Sequence, residues 1–103
     1  MAKSPIAQRH IPAAGNGRSR VTASLYAPEK DEEGKWYCDY RISFPERKVQ
    51  RKAYGADSLH ALMLALTGLQ AEVVGAELRG EVRLDWQGSK FKVPARIRAL
   101  WKP

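Results

Sequence analysis

The chain has few of the residues that would staple a small extracellular protein or carry it into a membrane. Its 103 residues include one cysteine, Cys38, so no internal disulfide can form and a single hydrophobic core must supply the stability. The first ten residues contain no apolar run typical of a signal peptide, and no stretch approaches the ~20 apolar residues of a membrane span. We therefore expect one cytoplasmic domain over 1–103. Its core should cover about 5–93, and a basic tail over 94–103 either docks as one helical turn or stays flexible.

Residues that carry catalytic or metal chemistry are equally scarce. The two histidines, His10 and His60, are far apart in sequence and do not have the close spacing of zinc ligands. Cys38 falls on the apolar side of a predicted strand, where a thiol is buried and a poor nucleophile. The acidic segment 29–33 lacks the spacing of a calcium loop, and the glycines of 15–19 lack the lysine and helix of a phosphate-binding loop. We expect no enzymatic activity, no cofactor and no metal.

Positive charge is in excess but unevenly distributed. The net charge is +7, of which residues 1–20 contribute +4 and residues 89–103 contribute +5, while 21–88 sum to −2. Basic ends attract polyanions without recognising a sequence, and they also keep a small protein soluble.

Alternation of apolar and polar residues predicts the strands. The clearest case is 36–44, where every second residue is large or of a buried type. Weaker alternation indicates strands at 5–11 and 21–25. Residues 48–54 form a fourth candidate, and their many cations are typical of a sheet edge. The acidic segment 29–35 is predicted to be a turn.

At Gly55 the apolar period changes from two to 3.6, which predicts a helix of about 18 to 22 residues ending by Gly80. Asp57 or Ser58 is its expected N-cap. The residues predicted to face the sheet are Leu59, Leu62, Met63, Leu66, Leu69, Val73 and Val74. After the helix, residues 82–86 alternate again and a turn at Gly88–Ser89 would close a hairpin. The predicted class is α+β: an antiparallel meander of three to four strands, one long helix packed on a sheet face, and a closing β-hairpin.

Four short motifs occur in order along the chain: IAQRHI at 6–11, WYCDYRI at 36–42, YGADSLHALMLAL at 54–66 and LDWQG at 84–88. They contain a Trp-x-Cys strand, a Gly-x-Asp-Ser-x-x-Ala-Leu helix start and a closing Leu-x-Trp strand. In this order they resemble a family of small uncharacterised bacterial proteins, a domain of unknown function. The resemblance covers about 6–93 and implies a bacterial cytosolic source and a single domain. It implies no activity, because the matching residues pack and cap rather than react.

The helix carries the main functional expectation. No residue between Asp57 and Glu72 is charged, although a helix with one face on a sheet normally has charges on the other. The face predicted to lie opposite the sheet consists of Ala61, Leu64, Gly68, Ala71 and Gly75. The chain's own tail, a protein partner such as a second copy, or solvent could cover this face. The sequence favours a small non-enzymatic module that binds protein or self-associates through it.

The alternative function is association with nucleic acid through the basic termini and the cationic sheet edge. Strand parity places Tyr26 and Tyr37 away from the main core, beside cations, as in proteins that stack single-stranded bases. The candidate contacts are Arg41, Lys48, Lys52, Tyr54, Lys90, Lys92, Arg96 and Arg98. We expect neither a membrane nor a small-molecule substrate as partner.

Overall fold

The computed structural model describes residues 3–14 and 19–86. Its elements are β1 (Ala7–Pro12), β2 (Arg20–Leu25), β3 (Glu29–Lys30), β4 (Trp36–Ser43), β5 (Lys48–Gly55) and α1 (Ser58–Leu78). The strands form one antiparallel sheet, and α1 packs on one of its faces. The predicted α+β class is confirmed.

The sheet follows the predicted meander. β1 pairs with β2, β2 pairs with β4, and β4 pairs with β5 along its whole length. Within the described ranges β5 has no neighbour other than β4, so it is an edge strand as its cations predict. The short strand β3 was not predicted, because its two residues belong to the acidic segment assigned to a turn. It pairs with the start of β4, beyond the end of β2.

The alternation in β4 produces a core-facing side and an outward-facing side. The core side carries Trp36, Cys38, Tyr40 and Ile42, and Phe44 follows beyond the strand. The Cys38 thiol is fully buried and donates a hydrogen bond to the carbonyl oxygen of Tyr26 at 3.0 Å. Burial, followed by the neighbouring Asp39 carboxylate, raises the pKa of Cys38, because both disfavour a thiolate.

The ends of α1 follow the predicted capping chemistry. Asp57 is the N-cap, and its side-chain oxygen accepts a hydrogen bond from the backbone N–H of His60 at 2.7 Å. The helix has 21 residues and ends at Leu78. Gly80 follows with a φ of 75°, a left-handed conformation that glycine adopts without strain.

The rotation of α1 about its axis differs from the prediction. Its buried residues are Ala61, Ala65, Leu69, Val73 and Ala76. Leu59, Met63 and Leu66, predicted to face the sheet, are exposed instead. Ala61 and Gly68, predicted to lie on the opposite face, lie toward the sheet, and a Cβ at Gly68 would be 2.7 Å from the Tyr40 hydroxyl oxygen. The large side chains of β4 fill much of the space between the layers, so small residues of the helix occupy the closest contacts.

The chain after α1 returns to β1. Leu84 is buried and forms a bridge with Ala13, and the N–H of Asp85 donates to the carbonyl of Pro12 at 2.8 Å. Residues 83–85 thus run antiparallel to the end of β1. The predicted turn at Gly88–Ser89 and the basic tail over 94–103 lie outside the described residues.

Candidate functional site

Large apolar side chains stand exposed on the outer side of α1. We call Leu59, Met63, Leu64 and Leu66 the apolar helix face; their exposed fractions are 63%, 50%, 40% and 43%. Spacings of four and three residues place Leu59, Met63 and Leu66 in one stripe, and Leu64 lies about 100° further round the helix from Met63, at the margin of this surface. Contiguous exposed apolar side chains typically mark a binding surface.

A groove extends the apolar helix face toward the sheet. It has a volume of about 150 Å³ and is lined by Ala7, Gln8, Arg9, Ala23, Leu25, Leu66 and Leu69. An apolar cavity of about this volume can hold a benzene-sized group. The groove therefore has room for one apolar side chain from a bound partner.

Contrary to the expectation from the sequence, the length and composition of α1 alone would allow this helix to cross a membrane. Its mean hydropathy reaches 1.4 over an 18-residue window. In the folded domain, however, Ala61, Leu69 and Val73 of this helix belong to the hydrophobic core. The core helix of a globular domain has the same length and composition, so these properties do not by themselves indicate a membrane span.

The five interface residues predicted from the sequence have different environments. Ala61 is fully buried and is not accessible to a partner. Gly68, Ala71 and Gly75 are partly buried, and Gly68 contacts a tyrosine of β4. Leu64 alone of the five belongs to the apolar helix face.

The exposure of Leu59, Met63 and Leu66 was not predicted from the sequence, because the largest apolar residues were assigned to the core. A usable signal was present in β4, whose core side carries Trp36 and Tyr40. Side chains of this size leave little depth above the sheet, which favours alanine and glycine on the helix that covers it.

A second candidate surface is the side of the sheet opposite α1, which we call the open sheet face. Strand pairing places on it Thr22, Ser24, Tyr37, Asp39, Arg41, Ser43, Lys48, Gln50, Lys52 and Tyr54. Tyr26 continues this row just after β2. The predicted nucleic-acid contacts Arg41, Lys48, Lys52 and Tyr54 are therefore on one face, whereas Lys90, Lys92, Arg96 and Arg98 lie outside the described residues.

One corner of the open sheet face holds a network of charges. The Lys3 ammonium contacts the carboxylate of Glu29 and lies 3.1 Å from the Oδ2 atom of Asp39. The hydroxyl of Tyr37 donates to Glu29 at 2.8 Å. Hydrogen bonds from Lys3 and then Tyr37 lower the pKa of Glu29, while the bond to Glu29 raises the pKa of Tyr37. Lys3 thus neutralises Asp39, which is nearly fully buried.

Aromatic rings and cations lie together beside that network. The rings of Tyr37 and Tyr54 have their centroids 5.9 Å apart, and the Lys52 ammonium lies 4.6 Å from the Tyr37 centroid. Tyr54 is half exposed. Exposed aromatic side chains beside cations can stack nucleobases, so this geometry is compatible with single-stranded nucleic acid.

Comparison with known protein families identifies the family of this chain but assigns no function to either surface. The profile of a family described as "Domain of unknown function (DUF6968)" matches residues 7–95. The chain belongs to this family. A search of the curated proteins and a search of the solved structures each found no significant match. Membership in DUF6968 confirms the predicted relationship to a domain of unknown function, while the bacterial source stays a prediction. It supplies no activity, so function must be argued from the two surfaces.

Within its described residues, this DUF6968 domain contains little that resembles a catalytic or metal-binding site. Over 3–14 and 19–86, no three His, Cys, Asp or Glu side chains are grouped to hold a metal ion. A depression of about 660 Å³ lies between the 31–35 loop and the start of α1, and His60 lines it. The Nδ1 atom of His60 accepts a hydrogen bond from the N–H of Ala56 at 2.9 Å, so the ring braces the helix start. The absence of a cofactor and of enzymatic activity stays a prediction.

Proposed function

We propose that this DUF6968 domain is a non-enzymatic binding module that associates with a second copy of itself through the apolar helix face. The observation that carries this proposal is the exposure of Leu59, Met63 and Leu66 on a stretch of α1 with no charged residue. The adjoining groove supplies a concave feature into which a side chain of the partner can insert.

Charge favours the apolar helix face over the open sheet face as the surface that meets a second copy. In a two-fold dimer the same patch meets itself, so a charged patch is brought close to its own like charges. The open sheet face would bring Arg41, Lys48 and Lys52 of one copy toward the same residues of the other. The lining of the groove that adjoins the apolar helix face includes one cation, Arg9, but the apolar helix face itself carries no charged side chain. It is therefore the surface best suited to self-association in a chain with a net charge of +7.

A net gain in the free energy of association requires burial of most of the apolar helix face. Complete burial of one large apolar side chain contributes roughly 1.5 to 3 kcal/mol relative to exposure, whereas association costs about 4 kcal/mol or more. One leucine per protomer, counted twice in a two-fold dimer, would contribute roughly 3 to 6 kcal/mol and would barely match that cost. A two-fold contact buries every interface residue twice, so a single substitution removes two contacts from the dimer.

The test compares two leucine-to-glutamate variants of the same helix by sedimentation equilibrium. Leu66→Glu places a charge in the apolar helix face, and Leu78→Glu places one at a position that is 81% exposed near the helix end. We expect wild type and Leu78→Glu to dimerise and Leu66→Glu to remain monomeric, with melting temperatures of the three monomers nearly equal.

Three results would contradict self-association. The wild-type chain could stay monomeric at high protein concentration, or both variants could dissociate equally. Alternatively, Leu66→Glu could destabilise a monomeric chain, which would mean that other residues of the same chain cover this surface. In that case a variant truncated before residue 94 should show the same loss of stability.

A second candidate function is association with nucleic acid through the open sheet face. It is supported by the placement of Arg41, Lys48, Lys52 and the exposed Tyr54 on one surface. We expect weak, salt-sensitive binding to single-stranded oligonucleotides that declines when Tyr54 is replaced by Ala. Fluorescence anisotropy with a labelled oligonucleotide at two salt concentrations measures it, and affinity unchanged by Tyr54→Ala would contradict it.

A further inference from the structure

The side chain of Arg41 has an unusual environment in the centre of the open sheet face. Strand pairing places it between Ser24 of β2 and Gln50 of β5. Its guanidinium lies over the ring of Tyr26, 4.8 Å from the ring centroid. Stacking on an aromatic ring fixes the plane of a guanidinium and leaves its outer N–H groups available to a ligand.

No described residue neutralises this cation. Over 3–14 and 19–86, no carboxylate lies within ion-pair distance of Arg41. Asp39, two residues away on the same face, is paired with Lys3. The Nε atom of Arg41 is buried and has no hydrogen-bond partner among these residues. A partly buried cation without a counter-ion is costly, and an anion bound to its outer N–H groups would offset that cost.

The surroundings of Arg41 form a pocket suited to an anion. The pocket has a volume of about 320 Å³ and is lined by Thr22, Ser24, Tyr26, Arg41, Ile42, Ser43, Lys48, Val49 and Gln50. This lining contains two cations, several hydroxyl groups and one amide, but no carboxylate. Its polar groups come from three adjacent strands, so donors can approach a bound group from several sides.

We infer that this pocket binds a phosphate group. The Arg41 guanidinium would be its main ligand through paired N–H donors, and Lys48 would supply a second positive charge. Hydroxyl donors such as Ser24 fit the remaining oxygens of a tetrahedral dianion, which a planar carboxylate does not have. The site lies on the opposite side of the sheet from α1 and does not depend on self-association.

Phosphate titration of the full chain, followed by ¹H–¹⁵N NMR, tests this inference. Inorganic phosphate is the probe, and the Arg41 Nε–H gives its own signal in these spectra. We expect saturable shifts of that signal and of the backbone amides of Ser24 and Gln50. Arg41→Gln should weaken binding by about tenfold or more. The matched control is Arg51→Gln on the other face of the sheet, which removes the same charge and should change affinity by less than about twofold.

A second variant tests the site even if Arg41→Gln impairs folding. Lys48 is exposed, so Lys48→Gln should keep the wild-type amide dispersion while still weakening phosphate binding. Equal losses in Arg41→Gln and Arg51→Gln would overturn the inference, because they would indicate attraction by net charge alone. Shifts that do not saturate, or that are spread over all exposed lysines, would overturn it as well.

A parallel titration with a short single-stranded oligothymidylate identifies the source of the phosphate group. If its phosphates occupy the pocket, it shifts the same amides, competes with inorganic phosphate and also shifts Tyr54. If it does not compete, the supported ligand is a small phosphorylated molecule. Either result supports the site, provided that Arg41→Gln weakens binding of the same ligand by about tenfold or more; an affinity unchanged in that variant contradicts it.

Discussion

Hydrophobicity alone would place the large apolar side chains of α1 against the sheet and its small side chains toward solvent. The structure largely has the opposite arrangement. The side packed on the sheet contains three alanines among its five buried residues, whereas leucines and a methionine occupy the exposed side. Surface burial favours the reverse orientation, because large apolar side chains gain most from leaving water. The observed orientation shows that shape complementarity with β4 determines the contact. This orientation also leaves a large apolar surface exposed to water, which is unfavourable and is not explained by the contact with the sheet.

The largest effect is expected where the packed side of α1 comes closest to the sheet. A Cβ at Gly55 would lie 2.3 Å from the backbone nitrogen of Ala61, and neither backbone can move independently. We expect Gly55→Ala to lower the free energy of unfolding by about 3 kcal/mol or more, as measured by urea unfolding.

The matched control for that variant is Gly75→Ala within the helix. A Cβ there would approach only the guanidinium end of Arg79, at 3.0 Å, and this flexible side chain can move. We expect a gain of up to about 1 kcal/mol from the helix propensity of alanine. Equal effects of the two alanine substitutions would show that Gly55 is not a close-packing position.

The next largest loss of stability is expected on the packed side of α1, and it is compared with a substitution at the neighbouring residue on the exposed side. Ala65 is fully buried, and Leu64 is 40% exposed. Ala65→Leu should overpack the contact with the sheet and cost about 1 to 3 kcal/mol. Leu64→Ala should cost less than about 1 kcal/mol at protein concentrations where the chain is monomeric. If Leu64→Ala costs as much as Ala65→Leu in the monomer, the apolar helix face is covered within the chain, and the comparison fails.

Strand positions could be predicted from the sequence because β4 has a strong contrast between its two sides. Trp36, Cys38 and Ile42 alternate with polar residues, and the same parity placed Arg41 on the side away from the core, as the structure has it. The helix was predictable in extent, since its N-cap and terminal glycine are local signals. β3 was missed because two residues in an acidic segment show no period.

The rotation of α1 could not be predicted from its own sequence. Residues 58–71 are uncharged throughout, so no polar side identifies the solvent. The deciding contacts are made by β4 side chains distant in sequence, and their size is recognised only when the layers are assembled. The pocket around Arg41 was likewise unpredictable, because its lining comes from three strands.

A smaller loss of stability is expected at the N-cap of α1. Its size tests whether packing on the sheet or capping contributes more to the stability of the helix. Asp57→Ala removes the acceptor for the His60 N–H, and we expect a loss of about 1 kcal/mol in thermal or urea unfolding. Ser58→Ala, one residue later, should change stability by less than about 0.5 kcal/mol. A loss for Asp57→Ala as large as that for Gly55→Ala would show that capping rather than packing dominates, contrary to the comparison above.

The smallest effect is expected on the open sheet face, where ion pairs replace packing. The Lys3 and Tyr37 hydrogen bonds lower the pKa of Glu29 below its ordinary value of 4.5. The ionised carboxylate therefore stabilises the folded state above about pH 4.5, and this contribution is lost as the pH falls through the lower folded-state pKa. Because Glu29 is solvent-accessible, screening keeps the contribution small.

Thermal unfolding of Glu29→Gln across the acidic range measures this contribution. We expect its melting temperature to fall slightly below wild type near neutral pH and to approach wild type in strong acid, where Glu29 is protonated. Glu33→Gln removes the same formal charge from the neighbouring loop, where the carboxylate contacts only the exposed Lys35 at 3.5 Å. It should show almost no difference at either pH. A Glu29→Gln deficit that persists in acid would mean that the side chain acts through its shape rather than its charge.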